Sequence, residues 1–280
     1  MGTKKNKLSE NEVVKSTQYP NTITTLKLDF KTLGIKPGSI ILMHSSLSKI
    51  GWTVGGPVAV IKALTEILTV EGTLIMPTFS GDNTDPGYWE NPPVPESWWD
   101  IIRNEMPAYN PKITPPRKIG IIANTFRNWP NVIRSEHPVS SFAAWGKYAN
   151  FITKNHELKA DLGENSPIAR VYQLNGDILL VGVPHENNSS LHLAEYRSEY
   201  PNKRKRLTGS AMLIDNKRQW VEWEELILNS DDFEQIGADF EVKINYIPGK
   251  VGLADARLLS QRDIVDFAVD WIKENRRANF

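Results

Sequence analysis

The sequence predicts an α/β fold built around parallel strands, on the evidence of three short apolar runs and the periodic segment between two of them. The runs at 39–44, 73–77 and 177–183 are mostly apolar, and each ends in or is followed by a proline or a polar residue, as is common for buried strands. The chain between the first two runs has helical periodicity, and strand–helix–strand units normally join parallel strands. We therefore expect ligands to bind beyond the carboxyl ends of these strands.

Apolar side chains recur at helical spacing in several other segments. Residues 22–34 are apolar at positions 23, 26 and 30 and end at Gly34, a pattern typical of an amphipathic helix. The helix between the first two strands is expected to begin at Pro57 and to end before Gly72. Further helices are predicted at 119–129, 146–156, 189–197 and 261–275, and the last of these is expected to close the fold.

The composition argues against several classes of protein. The 280 residues include 33 basic and 33 acidic side chains, so the chain lacks the net positive charge on which nonspecific nucleic-acid binding depends. No segment approaches the roughly 20 uninterrupted apolar residues of a membrane span, and the lysine-bearing N-terminal segment lacks the apolar core of a secretory signal. We expect a soluble, cytoplasmic protein with no membrane anchor and no nucleic-acid partner. A homodimer is compatible with the sequence.

Cysteine is absent, and the five histidines are dispersed along the chain. Disulfides, thiolate metal sites and a cysteine nucleophile are therefore excluded. The sequence contains neither an HExxH helix nor a tight cluster of histidine and aspartate. We expect no metal ion in the reaction.

One domain, residues 1–280, is expected, because the chain contains no internal repeat and no low-complexity linker. An inserted subdomain is predicted at about 200–255, and its four consecutive cations at 203–206 favour a solvated loop over a phosphate or nucleic-acid patch. The connection at 79–116, rich in proline and tryptophan, has two interpretations. Its aromatic side chains cap the edge of the core, or they form a wall that faces a ligand.

A histidine and a carboxylate three residues apart follow the third predicted strand. Ser189 or Ser190 is expected to cap the helix, which places His192 in its first turn and Glu195 on the same face. A carboxylate on one ring nitrogen fixes the tautomer and raises the basicity of the other nitrogen, as a general base requires. The spacing also fits a buried histidine whose pairing is purely structural.

The turn after the first predicted strand is the second candidate. It reads His44-Ser45-Ser46-Leu47-Ser48, and amides and hydroxyls at such a strand-to-helix junction suit a phosphate or an oxyanion. The nucleotide motifs GxGxxG and GxxxxGK[ST] are absent, and so is the GxSxG elbow of serine hydrolases. A structural turn explains the segment about as well, and a serine nucleophile is the least favoured alternative.

Two further segments carry polar side chains. In Arg134-Ser135-Glu136-His137-Pro138 the proline biases His137 toward an extended backbone, and a structural anchor is its favoured role. Glu164 lies in a segment typical of a helix entry. It is a second candidate carboxylate for a cationic substrate or for a histidine.

Six short motifs occur in an order and at spacings that resemble the aminoglycoside 3-N-acetyltransferase family. They are HSSLS at 44–48, MPT at 76–78, RSxHP at 134–138, SFAA at 141–144, GExSP at 163–167 and HLAE at 192–195. The resemblance covers nearly the whole chain. It implies a three-layer α/β/α unit with a central mixed, largely parallel sheet, distinct from the GNAT acetyltransferases, and acetyl-CoA as the acetyl donor.

The resemblance also implies roles for particular residues. His192 is the general base, Glu195 its acidic partner and Glu164 the reserve partner. The residues implied to lie along the pantetheine and pyrophosphate of the donor are His44, Ser45, Ser46, Leu47 and Ser48. The implied reaction is direct attack by a primary amine, foremost the 3-amino group of a 2-deoxystreptamine aminoglycoside, without a covalent acyl-enzyme.

The chain departs from the family in its charge. Many resistance enzymes of the family have an acidic cleft for the acceptor, and the balanced charge here gives no sign of one. The acidic residues at 222–225 and 231–232 are candidates for such a cleft, although a solvated acidic face is the favoured interpretation. Three alternatives stay open: an acyltransferase of this fold acting on another amine, an enzyme with an acyl-serine intermediate, and a CoA-binding protein without turnover.

Overall fold

Helices and strands alternate along residues 9–276, the part of the chain that this computed structural model describes. The helices are α1 (Glu10–Ser16), α2 (Ile23–Thr32), α3 (Leu47–Ile50), α4 (Gly56–Leu68), α5 (Trp99–Glu105), α6 (Gly120–Phe126), α7 (Ala149–Thr153), α8 (Pro167–Gln173), α9 (Leu191–Arg197), α10 (Phe233–Lys243) and α11 (Gln261–Asn275). The strands are β1 (Ile40–Ser45), β2 (Thr73–Pro77), β3 (Ile133–Arg134), β4 (Phe142–Gly146), β5 (Asp177–Val181), β6 (Lys205–Ile214), β7 (Lys217–Leu226), β8 (Gly249–Val251) and β9 (Ala254–Ser260).

Seven of these strands form the central sheet, in the order β3-β4-β2-β1-β5-β9-β8. β1 is parallel to β2 on one side and to β5 on the other, whereas the remaining neighbours pair antiparallel. The mixed sheet is confirmed: its three central strands are parallel, and β4 and β9 flank them in the antiparallel direction. Because β3 and β8 pair antiparallel with β4 and β9, they run in the same direction as the central three.

Helices cover both faces of this sheet, which confirms the three-layer arrangement. Alternate residues of a strand point to opposite faces. In β1, Ile41 and Met43 pack with α2, α4 and α6, whereas Leu42 packs with α7, α8, α9, α10 and α11. Two apolar cores therefore enclose the central strands and hold their carboxyl ends in fixed positions.

The predicted elements with strong periodicity are confirmed. α2 starts from Thr22, whose hydroxyl accepts a hydrogen bond from the amide of Thr25 at 3.2 Å, and α11 spans the predicted Gln261–Asn275. The predicted helix at 146–156 is shorter than expected, because it spans only Ala149–Thr153. Gly146 is instead the last residue of β4, which pairs with β2.

β6 and β7 form a two-stranded hairpin apart from the central sheet. The segment that follows the hairpin belongs to the main fold, because Phe233 and Ile236 of α10 are buried in a core and β8 pairs with β9. The inserted subdomain at about 200–255 stays a prediction.

The cationic run at 203–206 is partly engaged in the fold. The ammonium of Lys203 donates to the carbonyl oxygens of Tyr196 and Ser198 at 2.9 and 2.7 Å. Arg206 forms an ion pair with Glu225 at 2.7 Å. These contacts give two of the four cations a structural role, so the run does not form a continuous cationic patch.

Residues 9–276 contain no helix that combines the length and the apolar character needed to cross a bilayer. Within the same residues, His, Cys, Asp and Glu side chains form no group of three that could hold a metal ion.

Candidate functional site

A cavity of about 990 Å³ opens at the carboxyl ends of the three parallel strands. Its lining includes Met43–Ser48 from the end of β1, Pro77 from the end of β2 and Val183 beyond the end of β5. The position agrees with the expectation that open α/β sheets bind ligands at this edge. The cavity also contains His192, so the structure brings the two candidate segments of the sequence together.

The residues His44 to Ser48 line the cavity because β1 ends there and turns at once into α3. The amide of Ser46 donates to the carbonyl of Val181 at 2.9 Å, which ties the end of β1 to β5. The hydroxyls of Ser46 and Ser48 lie 3.3 Å apart. A bound molecule would therefore meet backbone and hydroxyl groups held by the sheet.

His192 and Glu195 form a hydrogen-bonded pair on α9. His192 Nδ1 lies 2.5 Å from Glu195 Oε2, and the ring of Phe233 packs 4.7 Å from the imidazole. A carboxylate accepts hydrogen bonds only, so it favours the tautomer with a proton on Nδ1 and a free lone pair on Nε2. Nε2 is then the nitrogen available to take a proton from a molecule in the cavity.

Ser190 is the residue before α9, but the predicted cap by a serine hydroxyl is wrong. The Ser190 side chain makes no capping hydrogen bond, because its hydroxyl instead accepts from Gln261 Nε2 at 3.0 Å. The first-turn amides of His192 and Leu193 donate to the carbonyls of Ser189 and Ser190. His192 is nevertheless in the first turn, as predicted.

Glu164 is not brought to His192. Its carboxylate accepts two hydrogen bonds from Arg197, at 2.6 and 3.0 Å, and its side chain is exposed. The hydrogen bond and charge of Arg197 lower the pKa of Glu164. The geometry therefore favours Glu195 over the reserve partner, because Glu164 is engaged on the outer side of α9.

His44 is buried beside His192, and its Nε2 has no hydrogen-bond partner among the described residues. Burial, together with the positive charge that His192 can carry, lowers the pKa of His44 to about 4. His44 is thus neutral at neutral pH and can serve the cavity only as an uncharged imidazole.

This burial predicts that acid destabilises the fold through His44. A histidine whose pKa is lowered by folding contributes full stability above its unfolded value of 6.5, and this contribution is lost as the pH falls toward 4. The loss amounts to about 3 kcal/mol. Urea unfolding at a series of pH values in this window measures it.

The comparison variant is His44→Gln, which cannot take up the proton. Burial also lowers the pKa values of His137 and His156, so the wild-type free energy of unfolding should fall steeply with acid and that of the variant less steeply. Equal slopes in the two proteins would contradict the assignment.

The charged groups on the cavity wall are balanced. Two acidic residues, Glu10 and Glu186, and two basic residues, Arg117 and Lys118, line it. The acidic segments at 222–225 and 231–232 do not line it. Glu225 is buried against Arg206, and burial raises its pKa, so this part of the expected acidic face is not solvated.

The aromatic connection contributes to a second, smaller cavity of about 300 Å³. Tyr88 and Trp89 line it, together with Arg117 and Lys118, which it shares with the main cavity. The later part of the connection behaves differently, because α5 packs beside the β6–β7 hairpin through hydrogen bonds from Arg218. The ligand-facing interpretation therefore fits the first half of the connection and the structural one its second half.

The third polar segment is structural. His137 is fully buried and its Nδ1 accepts from the amides of Val139 and Ser140, at 3.2 and 2.9 Å. The centre of its ring lies 4.7 Å from that of the His156 ring, and the two rings are tilted relative to each other. The favoured role of His137 as an anchor agrees with these contacts.

Sequence patterns gave no signal for Arg276, whose guanidinium contacts the buried side of Glu195. Its Nη1 lies 2.5 Å from Glu195 Oε1, and Asp232 accepts from Nε and Nη2 at 2.6 and 2.7 Å. The partners are 81 and 44 residues away along the chain, so no local motif connects them.

The family of the chain follows from comparison with known proteins. The sequence matches the family described as aminoglycoside 3-N-acetyltransferase over residues 42–273. The SPbeta prophage-derived aminoglycoside N(3')-acetyltransferase-like protein YokD of Bacillus subtilis (strain 168) is 45% identical over 269 residues, 96% of this chain and 98% of that protein. Aminoglycoside N(3)-acetyltransferase VII of Streptomyces paromomycinus is 33% identical over 283 residues, 95% of this chain and 96% of that protein.

Solved structures share the fold over almost the whole chain. The crystal structure of YokD from Bacillus subtilis has a TM-score of 0.93 at 45% identity and covers 96% of this chain and 100% of that one. AAC-IIIb with CoASH has a TM-score of 0.83 at 26% identity, covering 94% and 100%, and AAC-VIa bound to sisomicin has 0.83 at 27% identity, covering 93% and 100%. The chain belongs to the aminoglycoside 3-N-acetyltransferase family.

Proposed function

We propose that the protein transfers the acetyl group of acetyl-CoA to the 3-amino group of a 2-deoxystreptamine aminoglycoside, with His192 as the general base. One observation carries the proposal. His192 lies in the large cavity with Nδ1 engaged by a buried carboxylate, which leaves Nε2 free to accept a proton. The proposal is supported by membership in the family and by the names of the relatives.

The donor fits the cavity in its size and in the chemistry of its walls. A volume of about 990 Å³ can accommodate a large part of CoA beside an acceptor. Serine hydroxyls at 45, 46 and 48 suit the amide-rich pantetheine, and Gly56 places the N terminus of α4 on the wall, where anions are favoured. The CoASH complex of AAC-IIIb, a structure of the same fold, supports acetyl-CoA as the co-substrate.

The reaction follows from this arrangement. The acceptor amine attacks the thioester carbonyl carbon while His192 Nε2 removes a proton from its nitrogen. The C–N bond forms, the carbonyl oxygen becomes an oxyanion, and the tetrahedral intermediate collapses by breaking the C–S bond. CoA leaves as the thiolate, and the proton on His192 passes to it or to solvent. No acyl-enzyme is required.

A second candidate is the same reaction on an amine that is not an aminoglycoside. The balanced charge of the cavity favours it, because a polycationic acceptor gains most from an acidic wall, and Arg117 and Lys118 oppose such a charge. The two candidates share the donor, the base and the bond that forms. They differ only in the acceptor.

The test is release of CoA thiol from acetyl-CoA with a panel of amines. The panel contains 2-deoxystreptamine aminoglycosides, aminoglycosides acetylated at the 3-amino group, and simple primary amines. Thiol release with the first group and not with the second supports transfer to the 3-amino group. Release only with simple amines favours the second candidate, and no release with any acceptor contradicts both.

The choice between the two carboxylates predicts a contrast between two matched variants. Glu195→Gln should lower kcat by about 10- to 100-fold, because the amide carries no charge to stabilise the imidazolium that forms during proton transfer. Glu164→Gln should leave kcat close to the wild-type value, since Glu164 contacts Arg197 and not His192. Steady-state kinetics on both variants measure the contrast. An equal loss in the two variants would contradict the assignment of Glu195.

A further inference from the structure

Glu195 is a carboxylate removed from water and held by three donors. Its side chain is 0% exposed. Oε2 faces His192, whereas Oε1 accepts from the amide of Asn229 at 3.0 Å and from Arg276 Nη1 at 2.5 Å. An ionised carboxylate in such a place is costly unless a cation and hydrogen bonds compensate for its lost hydration.

Arg276 supplies that cation from the end of α11. Its guanidinium joins Glu195 to Asp232, donates to the carbonyl of Asn229 at 2.8 Å and lies over the ring of Tyr200 at 5.1 Å. Burial lowers the pKa of Arg276, but the hydrogen bonds and charges of Asp232 and Glu195 outweigh it and raise the pKa overall. The arginine therefore stays charged beside the buried pair.

The two oxygens of Glu195 have separate tasks because of this arrangement. Arg276 and the Asn229 amide occupy Oε1, so the carboxylate cannot rotate about its last bond without losing two charge-assisted or backbone hydrogen bonds. Oε2 is thereby aimed at His192 Nδ1. Histidines that bind metal ions are oriented in a similar way, by a neighbouring group that accepts a hydrogen bond from the other ring nitrogen.

We propose that Arg276 is a positioning residue for the acetyl transfer proposed above: its guanidinium supplies the cation beside the buried carboxylate of Glu195 and directs Oε2 of Glu195 to His192. The kinetic part of this inference rests on the proposed function. Its structural part rests on the geometry of the ion pair. Arg276 does not line the cavity, and Glu195 is the residue that connects it to His192.

The charge of Arg276 is also expected to affect the pH dependence of the reaction. The groups that face Glu195 are His192 on its own helix, the Asn229 amide and Arg276, with Asp232 and Tyr200 beyond the guanidinium. Removing the cation leaves two carboxylates and makes proton uptake by the pair more favourable, whichever member holds the proton. A general base acts in its unprotonated form. In a variant without the Arg276 cation, the acid limb of the pH–rate profile is therefore expected to move to higher pH.

The experiment compares Arg276→Met, Arg276→Lys and Lys273→Met in the full-length protein. Lys273 is the matched control, because it lies one turn earlier on α11 and its ion pair with Asp270 is exposed. kcat, KM for acetyl-CoA and the pH dependence of kcat/KM are measured for each. A thermal melt of each variant shows whether it is folded.

Arg276→Met is expected to lower kcat by about tenfold or more at neutral pH, with little change in KM for acetyl-CoA, and to regain part of its rate at higher pH. Arg276→Lys should keep the acid limb in place but lose rate, because one ammonium cannot serve Glu195 and Asp232 in the planar geometry of a guanidinium. Lys273→Met should match the wild type. If Arg276→Met does not fold, Arg276→Lys remains as the test. A wild-type kcat in Arg276→Lys would overturn the positioning role of Arg276.

A folded Arg276→Met protein with the wild-type acid limb also overturns the proposal. Failure of the proposed function is separate, since it would be absence of thiol release in the wild type itself. In that event, titration of the His192 imidazole by NMR, assigned with His192→Ala, tests Arg276 without turnover. An unchanged titration in Arg276→Met would then count against the proposal.

Discussion

Replacement of His192 by alanine is expected to slow acetyl transfer by about 10²- to 10⁴-fold, the usual contribution of a positioned general base. The attacking amine is protonated in water near neutral pH, and its conjugate acid cannot attack until a proton is removed. His192 lies in the cavity, and its Nε2 is free to take this proton because Glu195 engages Nδ1. Steady-state thiol release with acetyl-CoA measures the loss.

Binding of acetyl-CoA should survive the same substitution. His192 follows β5, whereas the segment proposed for the donor follows β1, so calorimetric affinity for acetyl-CoA should stay close to the wild-type value. His192→Gln serves as the matched variant, since glutamine fills much of the space but takes up no proton. Retention of the wild-type rate in either variant would place the base elsewhere.

The alternative to direct attack, a reaction through an acyl-serine intermediate, is tested on the same wild-type protein. Direct attack predicts no added acetyl mass on the protein after incubation with acetyl-CoA alone. An acetylated Ser45 or Ser46, found by mass spectrometry and lost in the corresponding alanine variant, would replace direct attack with a two-step reaction.

Replacement of Arg134 by methionine is expected to cost about 3 to 5 kcal/mol of stability, the largest loss that we predict for a side chain outside the cavity. Arg134 is 7% exposed, and its guanidinium donates to neutral oxygens. These belong to Thr78, Ser80, Pro111, Thr114 and Ser141. Methionine fills the space but leaves buried acceptors without a donor. Denaturant unfolding measures the loss.

Arg127→Met is the control for Arg134. Arg127 directly follows α6 and is less buried; its side chain donates to Asn124 in a partly buried hydrogen bond and to the carbonyl of Lys112 in an exposed one. We expect a change below about 1 kcal/mol. Equal losses of stability in Arg134→Met and Arg127→Met would show that burial does not increase the contribution of the Arg134 hydrogen bonds. Activity should also fall in Arg134→Met, because Arg134 donates to the carbonyl of Thr78 and to the hydroxyl of Ser80, on either side of the cavity residue Phe79.

The central strands and the longest helices could be predicted from the sequence because their signals are local. β2 and α11 occupy the predicted residues, since a run of buried side chains or a repeat at helical spacing reports directly on the face that is buried. The same holds for the pair His192 and Glu195. Three residues of separation in a helix suffice to bring the side chains together.

The edges of the sheet and the support behind the pair could not be predicted in this way. β3 and β8 are two and three residues long, too short to carry a period, and their pairing depends on partners elsewhere in the chain. β4 contains Ala143, Ala144 and Gly146, which have low strand propensity. Pairing with β2 outweighs that propensity. Arg276 gave no signal because its partners lie far away in sequence.

The contact between Glu195 and Arg276 also bears on how the protein is made. A chain emerging from the ribosome folds from its N-terminal end, so β1, β5 and α9 can assemble before α11 has been synthesised. Until residue 276 arrives, 81 positions after Glu195, that carboxylate lacks its cation. In a nascent chain the pair proposed as the base is thus oriented last, which couples the onset of acetyl transfer to completion of the C-terminal helix.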